Sequence, residues 1–240
     1  MRLEMVGNDG GNVSQDVLFR LRRDIVNGDL EPGAKLKFAE LQAIYAVGIG
    51  TLREALSRLV TEGLATLDAG RGFRVAEVSE ADLADLTSLR IDIERRAIED
   101  SVRHGDDEWE AQVLASWHRL SKVSGLSAEE RLKQFPEWMM RHRDFHAALV
   151  SACRSPRILQ LRAILFAQAE RYRLLSRQHA PKAQEKEHDE LRDACLERDA
   201  KRAGDILVRH ITVTAENVLR YSPQLSEKAA TPPRRTRKAS

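Results

Sequence analysis

The chain has 240 residues, of which 42% are hydrophobic, so a folded core is expected and disorder throughout the chain is excluded. The formal net charge is only +2, which excludes bulk attraction as the basis of any binding to nucleic acid. No apolar run approaches the roughly 20 residues of a membrane span, and the first residues lack the apolar stretch of a signal peptide. The two cysteines, Cys153 and Cys195, have no metal-binding spacing, as is typical of a protein of the reducing cytoplasm.

The first 78 residues predict a small domain of helices that ends in a hairpin. Residues 1–12 are rich in glycine and asparagine and are expected to be a flexible N-terminus. The domain itself is expected over 13–78, with Ser14 as the N-cap of its first helix. The predicted elements are, in chain order, helices over 14–27, 38–45 and 51–62 and strands over 64–67 and 73–76.

Three helices followed by a hairpin are typical of a winged helix-turn-helix, in which the helix after the tight turn enters the major groove of DNA. An arginine near the N-terminus of that helix, here Arg53, can bind a guanine edge with two hydrogen bonds or contact a phosphate. The alternative interpretation is that these charges are ordinary solvated residues of a small domain. The candidate DNA-contacting residues are Lys35, Lys37, Thr51, Arg53, Ser57, Arg58, Arg71, Gly72 and Arg74.

Several motifs in this first domain resemble the GntR family of bacterial regulators. They are G-x-L-x-P-G at 28–33, L-R-E-A-L at 52–56, E-G-L at 62–64 and the hairpin G-R-G-F-R-V at 70–75. The resemblance implies a winged helix-turn-helix that binds an operator, and it assigns a DNA-contacting role to Arg53. Many members of the family carry serine and threonine in the turn where this chain has Gly48 and Gly50, so the turn departs from the family pattern.

From Ser79 onwards the pattern changes to helices alone, and no strand-like alternation is seen. We therefore expect a second, all-helical domain over 79–222 and a disordered basic tail over 223–240, which contains PPRRTRK. The fold class predicted for the whole chain is mainly α, with an N-terminal winged helix-turn-helix and a C-terminal helical bundle.

Arg90 lies in the middle of the apolar stripe of the first helix of this second domain. The apolar residues within about 60° of it around the helix are Leu83, Leu86, Ile93 and Ala97. A buried arginine needs an anionic partner, which can be Glu94 one turn later or the carboxylate of a ligand, and the pattern leaves both alternatives open. Arg171 has a similar apolar surrounding. The ligand-binding candidates are Arg90, Glu94 and Arg171.

Four of the seven histidines lie on apolar helix faces: His142, His146, His188 and His210. A single histidine of this kind is usually a core residue whose nitrogens are satisfied by neighbours. Four together are costly unless they share a task, because each ring has two polar nitrogens. The predicted task is the binding of a divalent metal ion, Zn, Ni or Mn, by neutral imidazoles.

The second domain resembles the FCD ligand-binding domain of the FadR-type branch of GntR regulators. The stretches that carry the resemblance are LRIDIERRAIE at 89–99, HRDFHAALV at 142–150 and EHDELRDACLERDAKRA at 187–203, followed by His210. The resemblance implies a metal on one acidic residue and three histidines. The histidines correspond to His146, His188 and His210, whereas His142 takes the acidic position, which is a departure. Members of this branch bind small organic acids.

The function predicted from these features is that of a homodimeric repressor on a pseudo-palindromic, double-stranded DNA operator, released by a small organic acid. A metal ion and an inward arginine suit a ligand with a carboxylate at each end, and glutarate is the first candidate. The stretches at 44–66, 72–83, 104–115 and 120–123 resemble the glutarate-responsive repressor of the family. The alternative is a metal-dependent hydrolase with a metal-activated water. Against it, no general base shares the faces of the histidines, and the winged domain would have no purpose.

Overall fold

The computed structural model describes residues 9–68, 70–176, 183–222 and 225. The chain divides into two compact units, one that ends at Glu77 and one that begins at Val78, and each is described by itself. The predicted basic tail lies outside the described residues except for Leu225, as do the first eight residues of the predicted flexible N-terminus.

The N-terminal unit consists of three helices and a two-stranded hairpin. The elements are α1 (Asp9–Val26), α2 (Phe38–Tyr45), α3 (Ile49–Thr61), β1 (Ala65–Asp68) and β2 (Gly72–Val75). The strands are antiparallel, with Ala65 opposite Val75 and Asp68 opposite Gly72. Fully buried leucines of α1 and α3, among them Leu21, form the core that holds the helices together. This is the winged helix-turn-helix predicted from the sequence.

Two helix starts differ from the sequence prediction. Helix α1 begins at Asp9 instead of Ser14, because Ser14 is packed into the core and its hydroxyl makes no hydrogen bond among the described residues. Packing therefore overrides the local preference of serine for a cap. Helix α3 begins at Ile49 instead of Thr51, and the extended Gly48 is its N-cap, without a side-chain hydrogen bond. A β-carbon at Gly48 or Gly50 would meet open space, so the backbone does not require glycine in this turn.

The turn between α1 and α2 is tied to the hairpin at Gly33. The backbone N–H of Gly33 donates to the carbonyl of Val75 (3.1 Å), and its carbonyl accepts from Nη1 of Arg74 (3.1 Å). Gly33 has a φ of +78°, and a β-carbon there would lie 2.3 Å from Oε1 of Glu77. Glycine is therefore required at this position both by the backbone conformation and by the close approach.

The C-terminal unit is all-helical within the described residues. Its helices are α4 (Glu80–His104), α5 (Asp107–Ser124), α6 (Ala128–Lys133), α7 (Phe135–Leu149), α8 (Pro156–Leu175), α9 (Ala183–Leu196) and α10 (Ala200–Tyr221). Short polar side chains cap several of the helices: Ser79 accepts from the N–H of Asp82, and Asp106 accepts from the N–H of Trp109. Ser127 begins α6 with a reciprocal capping box.

The packing of these helices directs the polar inward residues to one place. Helix α4 packs along α10 and α8, while α5 packs against α7 and α9. The apolar core between them contains Phe145 and Leu149 of α7, Leu191 of α9 and Leu207 of α10. Polar residues on the same faces of α7, α9 and α10 are therefore carried into the interior. No helix among the described residues is long and apolar enough to cross a membrane.

Candidate metal centre and DNA-contacting surface

Three helices bring the four predicted histidines together. This histidine cluster consists of His142 and His146 of α7, His188 of α9 and His210 of α10. All four are buried, and one ligand atom from each lies within 4.8 Å of the others. Two nitrogens on opposite sides of one zinc or nickel ion are at most about 4.2 Å apart, so a small contraction would place all four on one ion.

Five nitrogens of the histidine cluster have no hydrogen-bond partner among the described residues. Both nitrogens of His142 are in this state, and so is Nε2 of each of the other three rings. Buried polar atoms in proteins nearly always have a partner, so five such atoms at one point indicate a group that the protein chain itself does not supply. The donor set, all imidazole nitrogen, fits a divalent transition metal.

Burial keeps the histidine cluster neutral. It lowers the pKa of His142, His146 and His188 well below the usual value, and the positive charge of Arg173 lowers all three further. The pKa of His210 is lowered to about 3, chiefly by burial and then by Arg173. Since only the neutral imidazole can bind a metal ion, the cluster is in the form that ligation requires near pH 7.

Glu187 orients one ring of the cluster. Its Oε2 lies 2.8 Å from Nδ1 of His210, so that Nδ1 carries the proton and Nε2 is left for a metal. The same carboxylate lies 3.7 Å from the guanidinium of Arg209. The sequence analysis missed Glu187, because its partner is on another helix and no sequence spacing connects them.

Glu94 is the partner of Arg90 in the structure. The guanidinium of Arg90 contacts Oε1 of Glu94 at 2.7 and 2.8 Å, which agrees with one of the two alternatives left open by the sequence. Nε of Arg162 lies 3.4 Å from the other oxygen of Glu94, an ion-pair distance without hydrogen-bond geometry. Burial alone would raise the pKa of Glu94, but the charges of Arg90 and Arg162 outweigh it and lower the pKa.

The structure does not bring Arg171 to the histidine cluster. The guanidinium of Arg171 lies 6.0 Å from the ring centre of Tyr172, and the charge of Asp82 acts on it. Arg162 and Arg173 face the cluster instead, since both lower the pKa of its histidines. Apolar residues lie all around α8, so helical periodicity does not identify one inward face, and both Arg171 and Arg173 are buried on it. A ligand-binding role of Arg171 stays a prediction.

The predicted DNA-contacting residues lie on the exposed side of α3 and the wing. Arg53 is exposed, and its guanidinium lies 5.7 Å from the ring centre of Phe38, which packs edge-on against Phe73 of the wing at 6.1 Å. The side chains of Lys35, Ser57 and Arg71 are exposed, Thr51 is half-buried, and Gly72 at the wing tip has a φ of +80°. Arg53 is therefore supported by an aromatic platform that joins the wing to α3.

Three of the predicted DNA-contacting side chains have partners within the unit. Lys37 pairs with Glu40 at 2.6 Å, and Arg58 pairs with Glu54 at 3.0 Å. Both pairs are exposed and can be exchanged for a phosphate at little cost. Arg74 differs, because it donates to the carbonyl of Gly33 as well as lying 3.5 Å from Asp68. Arg74 thus holds the wing in place.

Comparisons with known proteins agree with this arrangement. Residues 13–75 match the family described as "Bacterial regulatory proteins, gntR family", and residues 85–213 match the FCD domain. The chain is 44% identical to the HTH-type transcriptional regulator BphR of Paraburkholderia xenovorans (strain LB400), over 80% of this chain and 79% of that protein. It is 40% identical to the HTH-type transcriptional repressor GlaR of Escherichia coli (strain K12), over 80% of this chain and 89% of that protein.

Among solved structures, E. coli McbR/YncC has a similar fold, with a TM-score of 0.76 at 18% identity, over 90% of this chain and 99% of that chain. The winged unit and the helical unit define a DNA-binding regulator of transcription. The chain belongs to the GntR family of bacterial regulatory proteins and carries an FCD domain. The family and the named relatives are regulators of transcription and not enzymes, which decides against the metal-dependent hydrolase.

Proposed function

We propose that this chain is a repressor of transcription that leaves its operator when a short dicarboxylate, glutarate first, binds beside a divalent metal ion in the helical unit. The observation that carries the proposal is the histidine cluster, in which five buried nitrogens of neutral imidazoles have no hydrogen-bond partner among the described residues. The name of the relative GlaR, a transcriptional repressor, supports the direction of regulation. Such a regulator acts in the cytoplasm, where the bacterial chromosome lies.

The chemistry of the donor set narrows the choice of metal. Imidazole nitrogen suits zinc and nickel, whereas manganese prefers oxygen ligands. We therefore expect zinc or nickel to bind more tightly than manganese at the histidine cluster. When bound, the ion would supply a positive centre for a carboxylate of the effector. The role of Glu187 is to hold His210 in the tautomer that presents Nε2.

Buried arginines beside the cluster support an anionic effector. Arg162 and Arg90 both contact Glu94, and Arg173 is close enough to lower the pKa values of the histidines. The planar guanidinium group binds carboxylates with two parallel hydrogen bonds. A metal and a guanidinium in one interior site suit a molecule with a carboxylate at each end.

The DNA-binding step is proposed to use two copies of the chain. A homodimer would place its two α3 helices on the half-sites of a pseudo-palindromic operator, separated by one helical turn or a multiple of it. Arg53 and the wing tip at Arg71 would make the contacts. The effector can release the operator only to the extent that it binds the released arrangement more tightly than the DNA-bound one.

The test is operator release measured by fluorescence anisotropy on the DNA upstream of the chain's own gene. Succinate, glutarate, adipate and 2-hydroxyglutarate are titrated against zinc-loaded and chelator-treated protein. We expect at least one of these dicarboxylates to release the DNA, at lower concentration when metal is present. Elemental analysis should find about one divalent ion per chain in protein never exposed to chelator, and His188→Ala should lose it while the exposed His118→Ala keeps it.

Two results would contradict the proposal. If zinc and nickel neither copurify with the protein nor bind on addition, the histidine cluster is not a metal centre. If a monocarboxylate or a sugar acid releases the operator and none of the four dicarboxylates does, the effector class is wrong.

A further inference from the structure

One face of α8 carries four buried residues, of which Arg162 and Phe166 contact the histidine cluster directly. At 100° per residue, Arg162, Phe166, Glu170 and Arg173 lie within about 80° of one another around the helix. All four side chains are buried. This face therefore contributes charged groups, and not only apolar contacts, to the interior of the helical unit.

Most of the charges on and near this face are paired. Arg90 and Arg162 share the carboxylate of Glu94, and Arg162 also donates to the backbone carbonyl of His146 at 2.9 Å. Arg143 contacts Oε2 of Glu170 at 2.8 and 2.9 Å. These arginines are held by the protein's own acceptors, so their role in the interior is already accounted for by the fold.

Arg173 is different, because it forms no ion pair with a carboxylate among the described residues, although the charges of Glu170 and Glu94 act on it from a longer distance. Arg173 is only 9% exposed, and burial lowers the pKa of its guanidinium to about 10. The guanidinium is therefore still charged at pH 7. A charged group in the interior is costly without an anionic partner. Because its guanidinium has no direct carboxylate contact among the described residues, it can accept an anion that comes from outside the chain.

The position of Arg173 is fixed by an aromatic side chain that also contacts the histidine cluster. Its guanidinium lies 5.5 Å from the ring centre of Trp138, and the ring of Trp138 stacks on His142 at 4.7 Å with an angle of 25°. The indole N–H of Trp138 donates to the hydroxyl of Ser124 at 3.2 Å, which anchors the ring. Trp138 thus lies against both the arginine and a metal-ligand candidate.

We infer that Arg173 binds the carboxylate of the effector that the metal does not hold, and so gives the site its preference for dicarboxylates. The contact with Trp138 is made through the face of the indole ring, and a guanidinium group can bind a carboxylate through two parallel N–H groups. This inference rests on the proposed function, and it replaces Arg90 and Arg171 as the anchors suggested by the sequence.

The experiment compares glutarate with butyrate, which is glutarate without one carboxylate, by calorimetry on the zinc-loaded full chain. Wild type should bind glutarate more tightly than butyrate. In Arg173→Gln the affinity for glutarate should fall 10- to 100-fold, because the guanidinium that binds the second carboxylate is absent. The preference for glutarate over butyrate should therefore nearly vanish. Arg171→Gln, a buried arginine on the opposite face of α8, should keep both affinities within threefold.

Two further measurements separate binding from structure. Arg173→Gln should keep its zinc content and should melt close to the wild-type temperature without ligand, because relief of the desolvation of a buried charge offsets the lost attraction to Glu170 and Glu94. Arg173→Lys keeps the positive charge but loses the two parallel N–H groups of the guanidinium. Its preference for glutarate over butyrate should lie between those of wild type and Arg173→Gln. If wild type prefers glutarate and Arg173→Gln keeps that preference, the inference is overturned and the proposed function stands. If wild type binds no dicarboxylate, the proposed function itself fails.

Discussion

Acid should destabilise the metal-free helical unit strongly, because the histidine cluster is buried in the neutral form. A histidine whose pKa is lower in the folded than in the unfolded state stabilises the fold fully only above the unfolded value of about 6.5. That stability is lost as the pH falls from 6.5 towards the folded value, which is about 3 for His210. All four members of the cluster have lowered pKa values and act in the same direction.

The size of the effect follows from the number of histidines. Protonation of each histidine in the unfolded state lowers the free energy of unfolding by about 1.4 kcal/mol between pH 7.5 and pH 5.5, so the four histidines lower it by at most about 5.5 kcal/mol. Glu170 and Glu187 offset part of this loss, because their pKa values are raised by burial and they take up protons more readily when folded. Domains of this kind have about 5–15 kcal/mol of stability in total, so the metal-free unit should be close to unfolding at pH 5.5.

Tryptophan fluorescence reports on this unit alone, since Trp109, Trp117 and Trp138 are the three tryptophans of the chain and all lie after Glu77. Urea unfolding of chelator-treated protein at pH 7.5, 6.5 and 5.5 gives the free energies of unfolding. His142→Phe should reduce the acid-induced loss by about 1.4 kcal/mol, whereas His118→Gln, an exposed control, should not change it. Equal stability at pH 7.5 and 5.5, within about 1 kcal/mol, would refute the reasoning.

The other predictions concern DNA contact and metal affinity. Arg53→Ala should weaken operator binding by about 1–3 kcal/mol in a gel shift, without lowering the melting temperature of the protein. An unchanged affinity for the operator would mean that Arg53 of α3 does not contact the DNA. Phe38→Leu should weaken binding less, and not additively with Arg53→Ala, because it acts by supporting Arg53. Glu187→Gln should lower zinc affinity about 10- to 100-fold in competition with a chelating dye, whereas Glu190→Gln, which also contacts Arg209, should leave it unchanged.

Much of the fold could be predicted from the sequence because its signals are local. The glycines and proline at 28–33, the amphipathic pattern of α3 and the glycines of the hairpin each act within a few residues, and together they predict the winged unit. The inward faces of α7 and α10 were predicted in the same way. On these helices apolar residues mark one side, so His142, His146 and His210 could be assigned to the interior before their neighbours were known.

The sequence by itself thus determined which helices and strands form and which histidines point inward, because propensity, capping and periodicity depend on near neighbours. The tertiary structure decided which charges meet. It paired Arg90 with Glu94 one turn along α4, and it paired Glu187 of α9 with His210 of α10. The packing of α8 also places Arg173, and not Arg171, beside Trp138 and the histidine cluster. Apolar and charged residues are mixed on all sides of α8, so only the helices packed around it determine which of its faces borders the site.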